Sequence, residues 1–404
     1  MKSSLYIHIP FCRQKCDYCD FFSIGEKDRK GKCNDISDEY IDSLINEAGF
    51  YSKFFNVEEW TSIYLGGGTP GILSESQFAK LFSGLKETSP ISEDCEITVE
   101  VNPENVTPEK IHLLAECGVN RISMGIQAFD DNVLAKVNRC SSREMIYSAL
   151  KNLDSFWNGR LSVDFIAGLP GHTFKSFENQ FNLLQKFSKI DHVSLYTLTV
   201  EENTPLWKKI EDGLIDFSYE KADRMWVKGR NILEKMGFSQ YEVSNFARAG
   251  FEAKHNSGYW QQKNYVGIGS GATGTVYDFK TKTALRWTDS LSIPAYVNFW
   301  SKFTVENRIA DLNKIPRNVE ELDSDTLKFE FLMMGFRQLC GVNSSEYSAR
   351  FGESLEERIG AEDGVFSEWK KNHLASSEKT ESGIQYSLNR RGILLLNRFL
   401  EELL

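Results

Sequence analysis

Short apolar and β-branched runs recur through the first two thirds of the chain, at 5–9, 62–65, 96–101, 121–124, 161–166, 192–198 and 240–243. Segments of helical periodicity fall between them at 38–54, 75–88, 108–116, 142–152 and 174–187. Alternation of this kind predicts βα units, and so an α/β fold with a parallel sheet and helices on its faces. The punctuation agrees: Pro108 behind Thr107 reads as a first-turn proline after an N-cap, and Gly118 as a helix stop. The chemically unusual residues sit just after the strands. Three cysteines follow the first run, Gly66-Gly67-Gly68-Thr69-Pro70 the second, and Glu100-Val101-Asn102-Pro103 ends the third. Gly125-Ile126-Gln127 ends the fourth, and the fifth carries Asp164 ahead of Gly168-Leu169-Pro170-Gly171. Chemistry at the carboxyl ends of successive parallel strands is the pattern of barrels and open α/β sheets. One functional rim built from at least five loops is expected.

Beyond about residue 300 the pattern changes. A polar stretch at 308–325 leads into amphipathic runs at 326–339, 345–351 and 355–359, a polar loop at 376–382, an alternating run at 383–388 and a last helix at 390–404. That order suits a small, mainly helical, winged-helix-like domain over 305–404, behind a barrel over 1–290. The formal net charge of −10 argues against nucleic acid as a partner and leaves the small domain a packing or lid role. No secretory signal pattern opens the chain, and no apolar run approaches the roughly 18 residues of a membrane span. A cytoplasmic location is the expectation.

Eight cysteines stand at 12, 16, 19, 33, 95, 117, 140 and 340. A chain of this size can bury a core without disulfides, and a reducing compartment favours metal binding for clustered thiols. Closed structural zinc needs four ligands, whereas Cys12, Cys16 and Cys19 are three. A 4Fe–4S cluster can take three thiolates and leave one iron open, and on spacing alone it is favoured over zinc or inert thiols. Cys95, Cys117 and Cys340 read as small buried hydrophobes.

Cys12-x3-Cys16-x2-Cys19, with Tyr18 just before the last cysteine, resembles the signature of the radical S-adenosylmethionine (SAM) superfamily. The resemblance implies a partial, TIM-like (β/α) barrel, with Cys12, Cys16 and Cys19 on the cluster and SAM on its open iron. The Gly66–Pro70 run resembles the superfamily's glycine motif for the amino group of SAM. By similarity to the coproporphyrinogen dehydrogenase family HemN, Tyr6, Gly67, Gly68, Thr69 and Glu100 would contact SAM. Tyr18, Gln127, Arg139 and Asp164 would line the same molecule or a second one.

Two functions then compete: oxidative decarboxylation of coproporphyrinogen III, as in HemN, or haem binding and transfer, as in the haem chaperone family HemW. Three features favour the second. Phe21 stands where HemN has a further cysteine, no long arm precedes Tyr6, and His255-Asn256-Ser257-Gly258-Tyr259-Trp260 matches the His-Asn-x-x-Tyr-Trp motif of HemW. His255 is the leading candidate for haem, with Tyr259 and Trp260 as flat apolar surface. The alternative is that His255 only makes hydrogen bonds near a strand end. The HemW resemblance further implies haem-accepting proteins as partners, those of the respiratory chain among them, and allows a homodimer. Two departures weaken secondary histidine contacts to haem: Thr273 and Cys140-Ser141 stand where relatives usually carry histidine.

Overall fold

The computed structural model describes residues 1–28, 36–303, 314–360 and 364–403. Cys33 and most of the polar insertion around it lie outside the described residues. Six strands run parallel in spatial order: β1 (Lys2–Ile9), β2 (Glu59–Gly67), β3 (Ile91–Val101), β4 (Arg121–Gln127), β5 (Arg160–Ala167) and β6 (His192–Thr197). Short β7 (Asn245–Ala247) pairs antiparallel with β6, and β8 (Tyr265–Ile268) runs parallel to β1 on the other side. Antiparallel β9 (Thr273–Asp278), β10 (Thr283–Asp289) and β11 (Arg317–Leu322) extend the sheet beyond β8.

Between their bulges the strands alternate. Leu5, Ile7 and Ile9, then Ile63 and Leu65, then Ile97 and Val99, point outward and are buried under helices such as Asp38–Phe54 and Glu75–Lys86. Each such side chain contributes about 1.5–3 kcal/mol of burial. The register neighbours Tyr6 and Tyr64, Glu100 and Ser123, Gly125 and Asp164 share the opposite, inner face. Gly67, Glu100, Gly125, Asp164 and Tyr196, from five consecutive strands, line one cavity. A flat sheet would spread those strands over roughly 19 Å at its usual spacing, so the sheet is curved into a partial barrel.

Helix Pro108–Glu116 starts on Thr107, whose hydroxyl accepts from Lys110 N–H, as the sequence predicts. The expected strand at 240–243 is instead two short antiparallel pieces, Ser239–Gln240 and Asn245–Ala247. Glu242 breaks the run, because its carboxylate accepts from Ser244 N–H and folds the chain into a turn. The polar loop at 376–382 is largely a strand, Ala375–Thr380, in a hairpin with Gly383–Leu388. The last helix spans Leu396–Leu403, after a tighter turn at Gly392–Leu395.

Residues from Ser324 onward pack a second core around Phe331, Phe336, Tyr347, Phe366 and Phe399, which also takes Tyr277 and Ala284 from the sheet extension. This unit is tied to the barrel by a bidentate Arg286–Glu330 pair at 2.8 Å, by Gln262 donating to Leu327 O, and by Leu339 N–H on Tyr241 O. Cys340 is exposed, not buried, because it sits in the turn that follows helix Ser324–Gly335. Among the described residues no helix is long and apolar enough to cross a membrane.

Burial raises Glu242 to about 7. An acid raised on folding stabilises fully below its unfolded value and loses that contribution as pH climbs through the folded one. Glu242 should therefore weaken the fold between about pH 4.5 and 7. Thermal unfolding of Glu242→Gln should show a flatter decline of Tm across this window than the parent chain; parallel curves would rule out this contribution.

Candidate functional site

The chain leaving β1 forms a loop that carries Cys12, Cys16 and Cys19, and all three line one cavity of about 360 Å³ at the carboxyl end of the sheet. Cys12 and Cys16 are buried and Cys19 is half-buried. The loop is pinned by neighbours distant in sequence. Asp17 N–H donates to Val137 O, Leu206 N–H donates to Asp17 O, and Lys209 Nζ sits 2.5 Å from Asp17 Oδ2. Asn138 donates to Lys15 O and accepts from Gln14.

Burial raises the Cys12 thiol and pushes Cys19 up to about 11. Iron would supply the charge that holds such groups as thiolates. Among the described residues no three Cys, His, Asp or Glu side chains converge on a single ion. A cluster takes each thiolate on a different iron and so asks for a wider spacing. Three thiols, one short of the four ligands of closed structural zinc, match the three irons a 4Fe–4S cluster offers to the protein.

The glycine loop lies against the cysteine loop. Gly68 N–H donates to Ile9 O and Thr69 N–H to Phe11 O. A Cβ on Gly68 would stand 2.6 Å from Phe11 O and 2.7 Å from Ile9 O, so only glycine allows the two loops to touch. Gly67 has φ +104, and a Cβ there would enter the His8 ring at 2.4 Å. Thr69 Oγ1 donates toward Cys12 Sγ at 3.6 Å and accepts from Asn102 Nδ2 at 3.1 Å. Asn102 Oδ1 accepts from Arg139 Nη2 at 2.6 Å, and the same guanidinium reaches Gly125 O and Cys16 Sγ. Arg139 thus joins three loops beside the thiols.

Glu100 accepts from the Tyr64 hydroxyl at 2.6 Å, and burial holds its carboxyl at about 7. Asp164 accepts one bifurcated bond from the Ser123 hydroxyl, and burial raises it as well. Gln127 adopts φ +65 at a bulge where β4 slips against β5, an uncommon conformation for a side-chain-bearing residue that re-aims it into the cavity wall. Tyr18, Gly67, Gly68, Thr69, Glu100, Gln127, Arg139 and Asp164 all line this cavity with the cysteines.

Tyr6 and His255 do not line it. The His255 segment is not a strand end: it forms helix Lys254–Trp260, which closes the opposite end of the barrel. His255 N–H donates to Glu96 Oε1 at 3.0 Å, and the ring stacks on Tyr64 at 5.0 Å. Ser62 Oγ donates to Ser4, so it accepts from His255 Nδ1 at 2.8 Å. Nε2 then accepts from the Tyr259 hydroxyl at 2.8 Å. Burial lowers His255 to about 3, so the ring is neutral with both nitrogens engaged.

Tyr6 faces a second cavity of about 430 Å³, together with His8, Phe22, Tyr259, Trp260 and Tyr277. His8 forms the partition between the two cavities. Its Nε2–H donates to Phe22 O, its Nδ1 accepts from the Tyr6 hydroxyl, both at 2.9 Å, and its ring lies against Gly67. Sequence reasoning missed His8, Tyr64 and Asn102. The first two were legible as inner-face positions of β1 and β2, two residues apart from others already singled out. The role of Asn102 needs the fold, because its partners lie 33 and 37 positions away.

Residues 6–184 match the family model described as the radical SAM superfamily. The haem chaperone HemW of Lactococcus lactis is 33% identical over 361 residues, covering 89% of this chain and 87% of that protein. The haem chaperone HemW of Escherichia coli is 31% identical over 98% of this chain and 97% of its own length. Among solved structures, coproporphyrinogen III oxidase HemN of Escherichia coli superposes with a TM-score of 0.78 at 20% identity, covering all of this chain and 90% of that one. It shares the fold.

The contact between the glycine and cysteine loops gives a direct test. Gly68→Val should leave the barrel folded but part the loops. Iron bound per chain after anaerobic reconstitution should fall to less than half of the parent value, as it should in Cys16→Ser. Full iron loading of Gly68→Val would mean that the contact does not support the cluster.

Proposed function

Because this chain belongs to the HemW family within the radical SAM superfamily, we propose that it is a cytoplasmic haem chaperone: it binds a 4Fe–4S cluster, SAM and haem, and passes haem to proteins that need it, those of the respiratory chain among them. The observation that carries this reading is the presence of two separate cavities. One carries three thiols together with Glu100, Arg139 and Asp164. The other is aromatic and includes Tyr259 and Trp260 of the His-Asn-x-x-Tyr-Trp segment.

In the first cavity Cys12, Cys16 and Cys19 would hold three irons. When bound, the cluster can supply an electron to SAM, the chemistry that generates a 5′-deoxyadenosyl radical in the superfamily. The chain's own residues bind and orient. Gly67 and Gly68 let backbone N–H and C=O groups approach the amino acid end of SAM. Glu100, its carboxyl fixed by Tyr64, is suited to accept from ribose hydroxyls. Arg139 and Asn102 hold the cysteine, glycine and β4 loops in one arrangement, which limits the motion that would admit water. Gln127, Asp164 and Tyr18 complete the wall.

His255 would act as a positioning residue: it holds the Tyr259 hydroxyl at 2.8 Å, and Tyr259 lines the aromatic cavity. Phe21 belongs to both cavity walls and is 66% exposed. An apolar ring at that point suits a flat apolar cargo better than a fourth sulfur ligand would.

Reconstituted protein should give a shifted Soret band with haem and transfer that haem to an apo-acceptor. With coproporphyrinogen III, SAM and reductant it should yield no protoporphyrinogen IX. Formation of protoporphyrinogen would replace the chaperone reading with the decarboxylase one.

A further inference from the structure

The second cavity differs from the cofactor cavity in shape, lining and origin. Its floor is Tyr259 and Trp260 on helix Lys254–Trp260, one side is Tyr6 and His8 on β1, and the far side is Tyr277 and Met334. Met334 comes from helix Ser324–Gly335, so both cores of the molecule contribute to the wall. Aromatic rings on several sides of an open cleft, with a volume of about 430 Å³, suit a planar, largely apolar ligand that can leave.

A planar metallomacrocycle also needs an axial donor, and the candidates can be sorted by what already engages them. Both nitrogens of His8 are hydrogen-bonded, to Tyr6 and Phe22. The Tyr259 hydroxyl is held by His255, and the Tyr265 hydroxyl accepts from Thr275. His255 does not line the cavity and has no free nitrogen. Thr273 is on this wall, and its hydroxyl pairs with Thr288 at 2.9 Å. Met334 is the one sulfur donor on the wall, and a thioether is an established axial ligand for haem iron.

A cation is also at hand. Arg337 stacks 5.8 Å over the Trp260 ring, beside the cavity wall rather than on it, donates to Met333 O, and feels the charge of Glu242. It could meet a propionate. Arg286 lines the cavity too, but Glu330 already holds it from both nitrogens.

Resting on the chaperone reading above, the geometry points to the aromatic cavity as the haem seat, with Met334 rather than a histidine as axial ligand and Arg337 as propionate partner. The bound haem would then bridge the barrel and the C-terminal unit.

The test titrates the cluster-loaded full chain with ferric haem and follows the Soret band and the near-infrared thioether-to-iron charge-transfer band. The parent chain should show the thioether band, Met334→Leu should lose it with about a tenfold rise in Kd, and Met333→Leu should keep it. Thr273→His should replace the thioether spectrum by a histidine one, which a misfolded variant could not do. Haem bound with the parent spectrum in both Met334→Leu and Thr273→His would overturn the seat while leaving the chaperone function standing. Failure of the parent chain to bind haem at all would overturn both.

Discussion

The hydrogen-bonded inner face of the parallel sheet is the constraint on which the rest of the molecule depends. Alternation along the strands buries one apolar set under helices and turns a polar set inward. Buried polar groups must find partners or cost free energy. At one end of the barrel they find one another and the chain: Glu96 takes Arg160 and the N–H groups of Lys254 and His255, while His192 joins Ser162 to Tyr241. At the other end Glu100, Asp164, Gln127 and Arg139 surround a cavity instead. The closed end makes the open end possible, because it holds the strands in register while the rim is left with polar groups that can face a ligand.

That closed end is also where the sequence motif most suggestive of haem ended up doing structural work. His255 is a neutral, doubly hydrogen-bonded core histidine that locks helix Lys254–Trp260 to β2 through its ring and to β3 through its backbone N–H. The hydrogen-bonding role read for the histidine is the one its ring fills, while Tyr259 and Trp260 line a cavity.

His8 connects the two cavities physically. A glycine at 67 is required because the imidazole occupies the volume a Cβ would need, and the same imidazole is fixed by Tyr6 and by the carbonyl of Phe22 on the cysteine loop. Displacement of the cysteine loop must move Phe22, and with it the hydrogen bond that sets the orientation of His8. A dense interior transmits such a shift instead of absorbing it.

Much of this was already written in the order of residues. The βα alternation, the N-cap at Thr107, the rim of unusual residues after five strands, and the grouping of three cysteines follow from local rules of period, capping and spacing, which need no long-range contact. Local rules fail where a partner is distant. The break at Glu242 depends on a side chain bonding its own backbone, and the exposure of Cys340 on a turn. The division of Tyr6 and His255 from the cysteine-lined cavity, the bridge from Asn102 through Arg139 to Cys16, and the sharing of one cavity by Met334 and Trp260 exist only because the sheet curves and the second core docks against it. Which residue types the chain carries, and in what period, was settled by the sequence. Which of them face one another was decided by the tertiary structure, because a cavity wall is assembled across strands and cores whose separation in sequence carries no distance information.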